Sequence, residues 1–412
     1  MNYFLTMAAF IVVLFATEYY FTRKVSKAIK NLFPNLNEKK FKLWKRFFLF
    51  YFNLYPILAL FAWLYILMAR IDSFGTPENF FFDYFILYPF WILIILVIQT
   101  LIFFLPIDII KLITFPLWKS IRERIKRIEA FVILIIAGFF IVYVPARFIY
   151  DYYTVEVRRV EYVKKNLHPD LEEFKIGFIG DIHADYYTNE ARLSRFVNMV
   201  SNEKPDIVLI AGDLITGTPN YIETSANYLG KIKSKYGIYS CVGDHDNWAY
   251  RFNYVRSLAE IKTAMSKANV VMPDNEKMTF NVEDAKIEIA FITNNYVNRV
   301  ADQILDSLTN GIEDRNLKIF LTHQPRQFLI DEAVKKNFDL FLAGHTHGGQ
   351  ITFLFPFINP SITLIETKYV KGDFFFGDMM MTVTRGLGMS LAPVRYNSTP
   401  EITIITLKNK SK

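Results

Sequence analysis

FKIGFIGDIHADYYTNEARLSRF (174–196) begins as an apolar run in the pattern of a buried strand, closes it on Asp181 and His183, and then passes into helical spacing. A carboxylate and an imidazole two residues apart are an odd way to end a core strand. Four more strand candidates, at 206–211, 238–242, 318–322 and 339–343, end the same way, in AGDLITG, VGDHDNW, LTHQP and AGHTHGGQ. Helical stretches such as NEARLSRFVNMVSNE, RSLAEIKTAMSKA and PRQFLIDEAVKKN separate them, and MTFNVEDAKIEIAFI reads as a hairpin turning at 283–285. This alternation is that of an α/β layered domain with added antiparallel pairs.

In open α/β sheets the loops at the carboxyl ends of the strands gather into one crevice. Asp181, His183, Asp213, Asp244, His245, Asp246, His323, His345 and His347 are therefore expected to converge. The chain has six histidines, and five of them sit in these turns; the sixth, His168 in HPD, reads as a solvated loop residue. One such turn alone is a weak signal, but the ordered set is strong. A mixed oxygen and nitrogen donor set of this size suits two divalent ions, Mn, Fe or Zn, rather than one structural zinc, which would favour cysteine. Two ions close together need a shared ligand, and a carboxylate can bridge where an imidazole cannot. Gly212, Gly243 and Gly344 allow the tight backbone that such delivery requires. The only cysteine, Cys241, forms no disulfide within the chain.

With these motifs in order (D-x-H, G-D, G-D-H-D, H, then G-H-x-H), the stretch 174–407 resembles the calcineurin-like metallophosphoesterases. GHTHGGQ and the tail RGLGMSLAPVRYNSTPEITIITL are similar to the membrane-associated bacterial branch. The resemblance implies a two-sheet α/β sandwich and a dinuclear site. It assigns Asp181, His183 and His347 to one metal and Asp244, His323 and His345 to the other, with Asp213 bridging. It also implies that His245 faces the substrate phosphate as a catalytic group and that Asp246 holds its imidazole. Asp244 departs from the family, which has Asn there. An ionised carboxylate would lower the formal charge of the cluster from about +1 to about 0, holding metal more tightly while acidifying water less.

Composition marks a second physical object. Of 412 residues 52% are hydrophobic, with 40 Phe and 24 Tyr, too many for an ordinary soluble enzyme. The excess lies in the first 150 residues, where 3–21, 47–69, 84–105 and 131–148 are apolar and near spanning length. Between these stretches the loops carry nine, one and six Lys or Arg, which places the first and third loops in the cytoplasm and everything after residue 148 outside it. The expected organisation is a helical membrane domain of about four spans at 1–150, a connector at 151–173 and the phosphoesterase domain at 174–412. Residues 1–150 hold 17 basic against 8 acidic side chains and the remainder 30 against 32, so the net charge of +7 belongs to the membrane part and gives no support for nucleic-acid binding.

The function expected is that of a membrane-anchored enzyme acting on a phosphodiester, pyrophosphate or phosphomonoester of a membrane lipid or envelope precursor. The nucleophile would be a hydroxide shared by two cations. Its expected partners are the bilayer and a phosphate-ester substrate, and its expected location is the inner membrane, multi-pass, with the catalytic domain outside the cytoplasm. Two alternatives stand beside it. One is a cytoplasmic-facing pyrophosphatase of a UDP-sugar lipid. The other is a weakened membrane sensor, suggested by Asp244 and by Glu18, an acid inside the first apolar stretch that reads as interfacial.

Overall fold

The computed structural model describes residues 3–69, 78–114, 121–250, 253–311 and 317–410, with the side chains of 3–10 and 67 left aside. The chain forms two compact units. One comprises Met1–Arg70, Asn79–Tyr150 and the short segment Phe353–Pro360; the other is built on Asp151–Thr352 and Ser361–Lys412.

The first unit consists of α1 (Tyr3–Leu32), α2 (Glu38–Ala69), α3 (Phe80–Thr114) and α4 (Arg122–Tyr153). Among the described residues α2 over Glu38–Ile66, α3 and α4 are long and apolar enough to cross a membrane, by length and composition. The stretch at 3–21 lies in α1, part of it beyond the described side chains. Aromatic rings knit the helices, Phe21 stacking on Phe104 and Phe52 meeting Phe90 edge-on. Glu18, the acid of the first apolar stretch, is packed among the helices. It is buried at 2% exposure, and the Asn53 amide donates to both of its carboxylate oxygens at 2.9 and 3.0 Å, because a carboxylate among apolar helices needs donors that water no longer supplies. Gln99, on α3, treats the Phe353–Pro360 segment as a strand would: its amide donates to the Leu354 carbonyl and accepts from the Leu354 N–H, both at 2.8 Å.

The second unit is a sandwich of two six-stranded sheets. The first runs β1 (Glu156–Lys164), β12 (Glu401–Asn409), β2 (Lys175–Ile179), β3 (Ile207–Ile210), β4 (Ile238–Ser240), β5 (Val270–Val271). The second runs β10 (Gly372–Phe376), β11 (Met379–Val383), β9 (Leu340–Ala343), β8 (Leu317–Thr322), β7 (Ala285–Ile292), β6 (Glu276–Val282). Strand alternation builds the layers. In β3, Ile207 and Leu209 face the inter-sheet core with Phe178, Ile289 and Ile319, while Val208 and Ile210 face the outer layer. That layer holds α5 (Glu190–Asn202), α6 (Ile222–Leu229) and α7 (Tyr254–Lys267). In α5, Leu193, Phe196, Val197 and Val200 form one apolar stripe, and the Asn189 side chain caps the helix by accepting from Arg192 N. Over the other sheet α8 (Asp302–Thr309) and α9 (Gln327–Lys335) pack Leu305, Leu329 and Ile330 on Ala290, Phe320 and Phe341.

The hairpin is where the pattern puts it, β6 pairing antiparallel with β7. Within the first sheet β2, β3 and β4 are parallel, and within the second β7, β8 and β9 are parallel. Their carboxyl ends therefore leave each sheet on one edge.

Candidate metal centre

The loops that leave these strand ends interlock before any side chain acts. Asp181 N donates to Gly212 O at 3.0 Å, His183 N to Asp213 O at 2.9 Å and Ala184 N to Leu214 O at 3.1 Å, so the first two loops continue the pairing of β2 with β3. Asp181, His183, Asp213, His345 and His347 all adopt positive φ, between 45° and 71°. Such conformations cost of order 1–3 kcal/mol each, and Asp, Asn and His bear them better than other residues. The approach is close enough that a Cβ on Gly243 would lie 2.2 Å from Asp213 Oδ1, so only glycine fits there.

Seven of the nine expected side chains fall into two groups that could each hold an ion: Asp181, His183, Asp213 and His347, and Asp244, His323 and His345. Asp213 reaches toward both. Its Oδ1 accepts from His245 N at 2.8 Å, and its Oδ2 lies 3.2 Å from His183 Nε2 in the first group and 3.4 Å from His323 Nε2 in the second. The residues fit a pair of cations. His323 Nε2 is buried without a hydrogen-bond partner while flanked by oxygens of Asp213 and Asp244, and the Nε2 atoms of His183 and His347 face each other at 3.1 Å beside Asp213. Facing nitrogens and orphaned lone pairs are what a hard-to-borderline divalent ion would take up.

Asp244 is built into the site as a carboxylate. Gln324 Nε2 donates to its two oxygens at 3.0 and 2.8 Å, Tyr296 N to Oδ1 at 2.6 Å, and His345 Nδ1 lies 2.9 Å from Oδ2. Arg326 Nε holds Gln324 Oε1 at 2.8 Å, which keeps the Gln324 amide group turned toward Asp244. Burial opposes its charge, but His323 and His345 hold Asp244 far below the usual carboxylate range. An Asn here would face donors with a donor.

His245 and Asp246 sit beside the cluster, but Asp246 does not hold the His245 imidazole as the resemblance implies. The Asp246 carboxylate accepts from the backbone N–H groups of Gly243, Asp213 and Leu214 at 2.7, 3.0 and 2.8 Å, and so clamps the Asp213 loop rather than the neighbouring ring. The reason is geometric: adjacent side chains on the 3₁₀ turn His245–Asn247 diverge. The Thr216 carbonyl takes His245 Nδ1 instead, leaving Nε2 3.2 Å from Ser390 Oγ. His168, outside the cluster, has its ring nitrogen 3.4 Å from Asp170 N and caps a short 3₁₀ turn.

Several groups around the centre carried no sequence signal. Glu366 lies 3.1 Å from His345 Nε2 and is held by Tyr296 OH at 2.7 Å and by Arg326; burial opposes its charge, but His345 first, then Tyr296 and Arg326, keep it at about 2. Such a carboxylate fixes which imidazole nitrogen is turned inward. Arg395, fully buried, donates to the carbonyls of Gly388, His347 and Ser398 and braces the loop of His347.

Electrostatics divide the two groups in the metal-free chain. Burial, with the His245 charge, pushes His183 down to about 4, and burial with the His183 charge takes His347 well below its ordinary value; both rings are neutral. In the second group burial is outweighed: Asp213 and Asp244 hold His323 well above its ordinary value, and Asp244 and Glu366 raise His345 to about 9. A group that is protonated without metal must release its proton to bind one, so affinity rises with pH up to that group's pKa. The second ion is therefore expected to bind with proton release at pH 7 and to gain up to about tenfold in affinity per proton per pH unit between pH 7 and 9, the first to be nearly insensitive there. Titration calorimetry with Mn²⁺ in buffers of different ionisation enthalpy checks it; equal proton release for both ions is the contrary result.

Comparison with known proteins agrees with this geometry. The calcineurin-like phosphoesterase family matches residues 174–349. The chain is 32% identical over 256 residues to the uncharacterized metallophosphoesterase YkuE of Bacillus subtilis, covering 60% of this chain and 84% of that one. It is 28% identical over 262 residues to a transmembrane protein with metallophosphoesterase domain from Danio rerio, covering 60% and 56% respectively. To phosphodiesterase YaeI of Escherichia coli it is 25% identical over 255 residues, covering 60% and 86%. The strand-end motifs, the two side-chain groups that meet at Asp213 and these relatives lead to one assignment: the chain belongs to the calcineurin-like metallophosphoesterases and is a metal-dependent phosphoric ester hydrolase.

Proposed function

We propose that this enzyme hydrolyses a phosphoester or pyrophosphate carried by a membrane lipid or envelope precursor, on the face of the membrane away from the cytoplasm. The observation that carries the hydrolytic reading is Asp213 Oδ2 set between His183 and His323, one imidazole from each group. In this reading Asp181, His183 and His347 hold one ion, Asp244, His323 and His345 the other, and Asp213 bridges. Two divalent cations held there supply positive charge for phosphoryl oxygens and lower the pKa of water.

The remaining work falls to the chain. His245 takes a hydrogen bond partner at Nδ1 from the Thr216 carbonyl, which assigns the hydrogen to that nitrogen and aims Nε2 outward beside Ser390. A proton carried on Nε2 can pass to the leaving oxygen as the ester bond breaks. Asp246 acts through the backbone, holding the Asp213 loop in place, and is a positioning residue.

A lipid substrate is supported by the rim. Ser390 and Glu366, which touch His245 and His345, are followed and preceded by Leu391 at 97% and Ile365 at 88% exposure, with Ile362 at 83% close by in sequence. Aliphatic side chains left in water next to a polar centre mark a surface that meets apolar material. The loop charges of nine, one and six support the extracytoplasmic side.

Three measurements test these readings. The full-length enzyme is expected to hydrolyse bis(p-nitrophenyl) phosphate after chelation only when Mn²⁺ or a similar ion is restored, and His245→Ala to lower kcat by about 10²–10⁴-fold without loss of metal; unchanged kcat removes His245 from proton transfer. Ile365→Ser with Leu391→Ser should lower turnover of a phospholipid in vesicles by roughly tenfold while leaving the soluble ester unaffected, and an equal effect on both would refute the rim's role. A reporter active only outside the inner membrane, fused to the C-terminus, should be active; silence there, with an active cytoplasmic reporter, would favour the UDP-sugar-lipid reading instead.

A further inference from the structure

The helical unit encloses a cavity of about 280 Å³ between α1, α3 and α4. One part of its wall is a closed electrostatic scaffold. Lys24 on α1 pairs with Asp108 on α3 and, at 2.8 Å, with Glu129 on α4; Lys111 also pairs with Glu129, and Tyr20 donates to Asp108. Two lysines and two carboxylates balance, and this balanced set ties three helices together.

The rest of the wall is not balanced. Arg23 and Lys27 line the same cavity and pair with no acid among the described residues. Lys126 adds a third cation, and its partner Glu123, one helical turn away at 2.6 Å, is largely exposed and screens little. Acids that could neutralise these cations are already engaged by the scaffold. Arg23 and Lys27 are exposed, and exposed cations close to a bilayer surface attract anionic lipid headgroups. The cavity lies where these helices run into the two basic loops, which the loop-charge rule would set beside lipid headgroups, and the buried Ala28, Ala130 and Ile133 form the apolar part of its lining. A free phosphate would meet only the cations, whereas a phospholipid also brings acyl chains to exposed apolar residues of the same helices, Ile109 at 58% and Ile128 at 55% exposure.

We propose that this cavity is a binding site for the phosphate headgroup of an anionic phospholipid, with Arg23 and Lys27 as the cations that face it. The site is separate from the metal centre. It rests on the helices lying in a bilayer, and not on the substrate of the hydrolytic site.

The test uses the full-length protein in detergent micelles, titrated with short-chain phosphatidylglycerol, short-chain phosphatidylcholine and inorganic phosphate, bound species being counted by native mass spectrometry. Phosphatidylglycerol should bind saturably and outcompete both others. Arg23→Gln with Lys27→Gln should weaken it roughly thirtyfold, since each cation near the surface contributes on the order of fivefold, and Arg23→Lys with Lys27→Arg should restore it. Hydrolysis of the soluble ester by the double Gln variant should stay at the wild-type level, and wild-type helical circular dichroism with a monodisperse elution profile shows that its helical unit is folded. Equal binding of the two lipids, wild-type lipid binding by the folded Gln variant, or saturation by inorganic phosphate in preference to lipid would each overturn the proposal.

Discussion

Everything at the centre depends on one buried carboxylate. Asp213 carries a charge in a site with almost no solvent, a situation that costs several kcal/mol unless partners compensate. Burial works against its ionisation, yet the charges of His323 and His245 and the His183 contact hold it well below the ordinary range. Those partners arrive from three strand ends other than its own, β2, β4 and β8, drawn from both sheets. The two sheets must therefore be stacked in register before the carboxylate is satisfied, and the inter-sheet core of Phe178, Leu209, Ile289 and Ile319 is what secures that stacking.

Around this carboxylate the chain accepts strain and surrounds it with fixed donors. Five residues of the two side-chain groups sit at positive φ, and the backbone of Gly243 touches Asp213 where no side chain could. Asp246, Thr216, Gln324, Glu366 and Arg395 then each hold one element of the centre in a single orientation, through backbone N–H groups, a carbonyl, a carboxylate or a ring nitrogen. A site held in this way needs little rearrangement when charge develops in a bound phosphoester.

The helical unit solves a different electrostatic problem with the same chemistry. Three of its polar groups find partners within the protein: Glu18 with Asn53, Gln99 with the Leu354 peptide, Lys24 with two carboxylates. Where pairing is complete the helices are tied together, and where it is incomplete, at Arg23 and Lys27, the unit offers a cationic surface.

The strands β2, β3, β4, β8 and β9, the β6–β7 hairpin, the helices α5, α7 and α9, and the gathering of Asp and His at the strand ends are legible in the chain alone, because each is written in local periodicity and in residues whose chemistry is conspicuous where it ends a strand. The helical character of the first 150 residues is legible for the same reason, as apolar length. The rest is non-local and came from folding. β12 lies between β1 and β2, joining 401–409 to 156–164 in a parallel pair that no local pattern announces. Short α6 is set by the sheet it covers. The segment Phe353–Pro360 belongs with the helices because Gln99 pairs with its backbone. The partner of His245 is a carbonyl, which every residue possesses and no sequence marks, so the adjacent Asp246 looked like the partner until folding turned it toward three N–H groups. Side-chain identity names the chemistry a chain can do, but which atoms meet is fixed by the stacking of the two sheets and the turns that strain their ends.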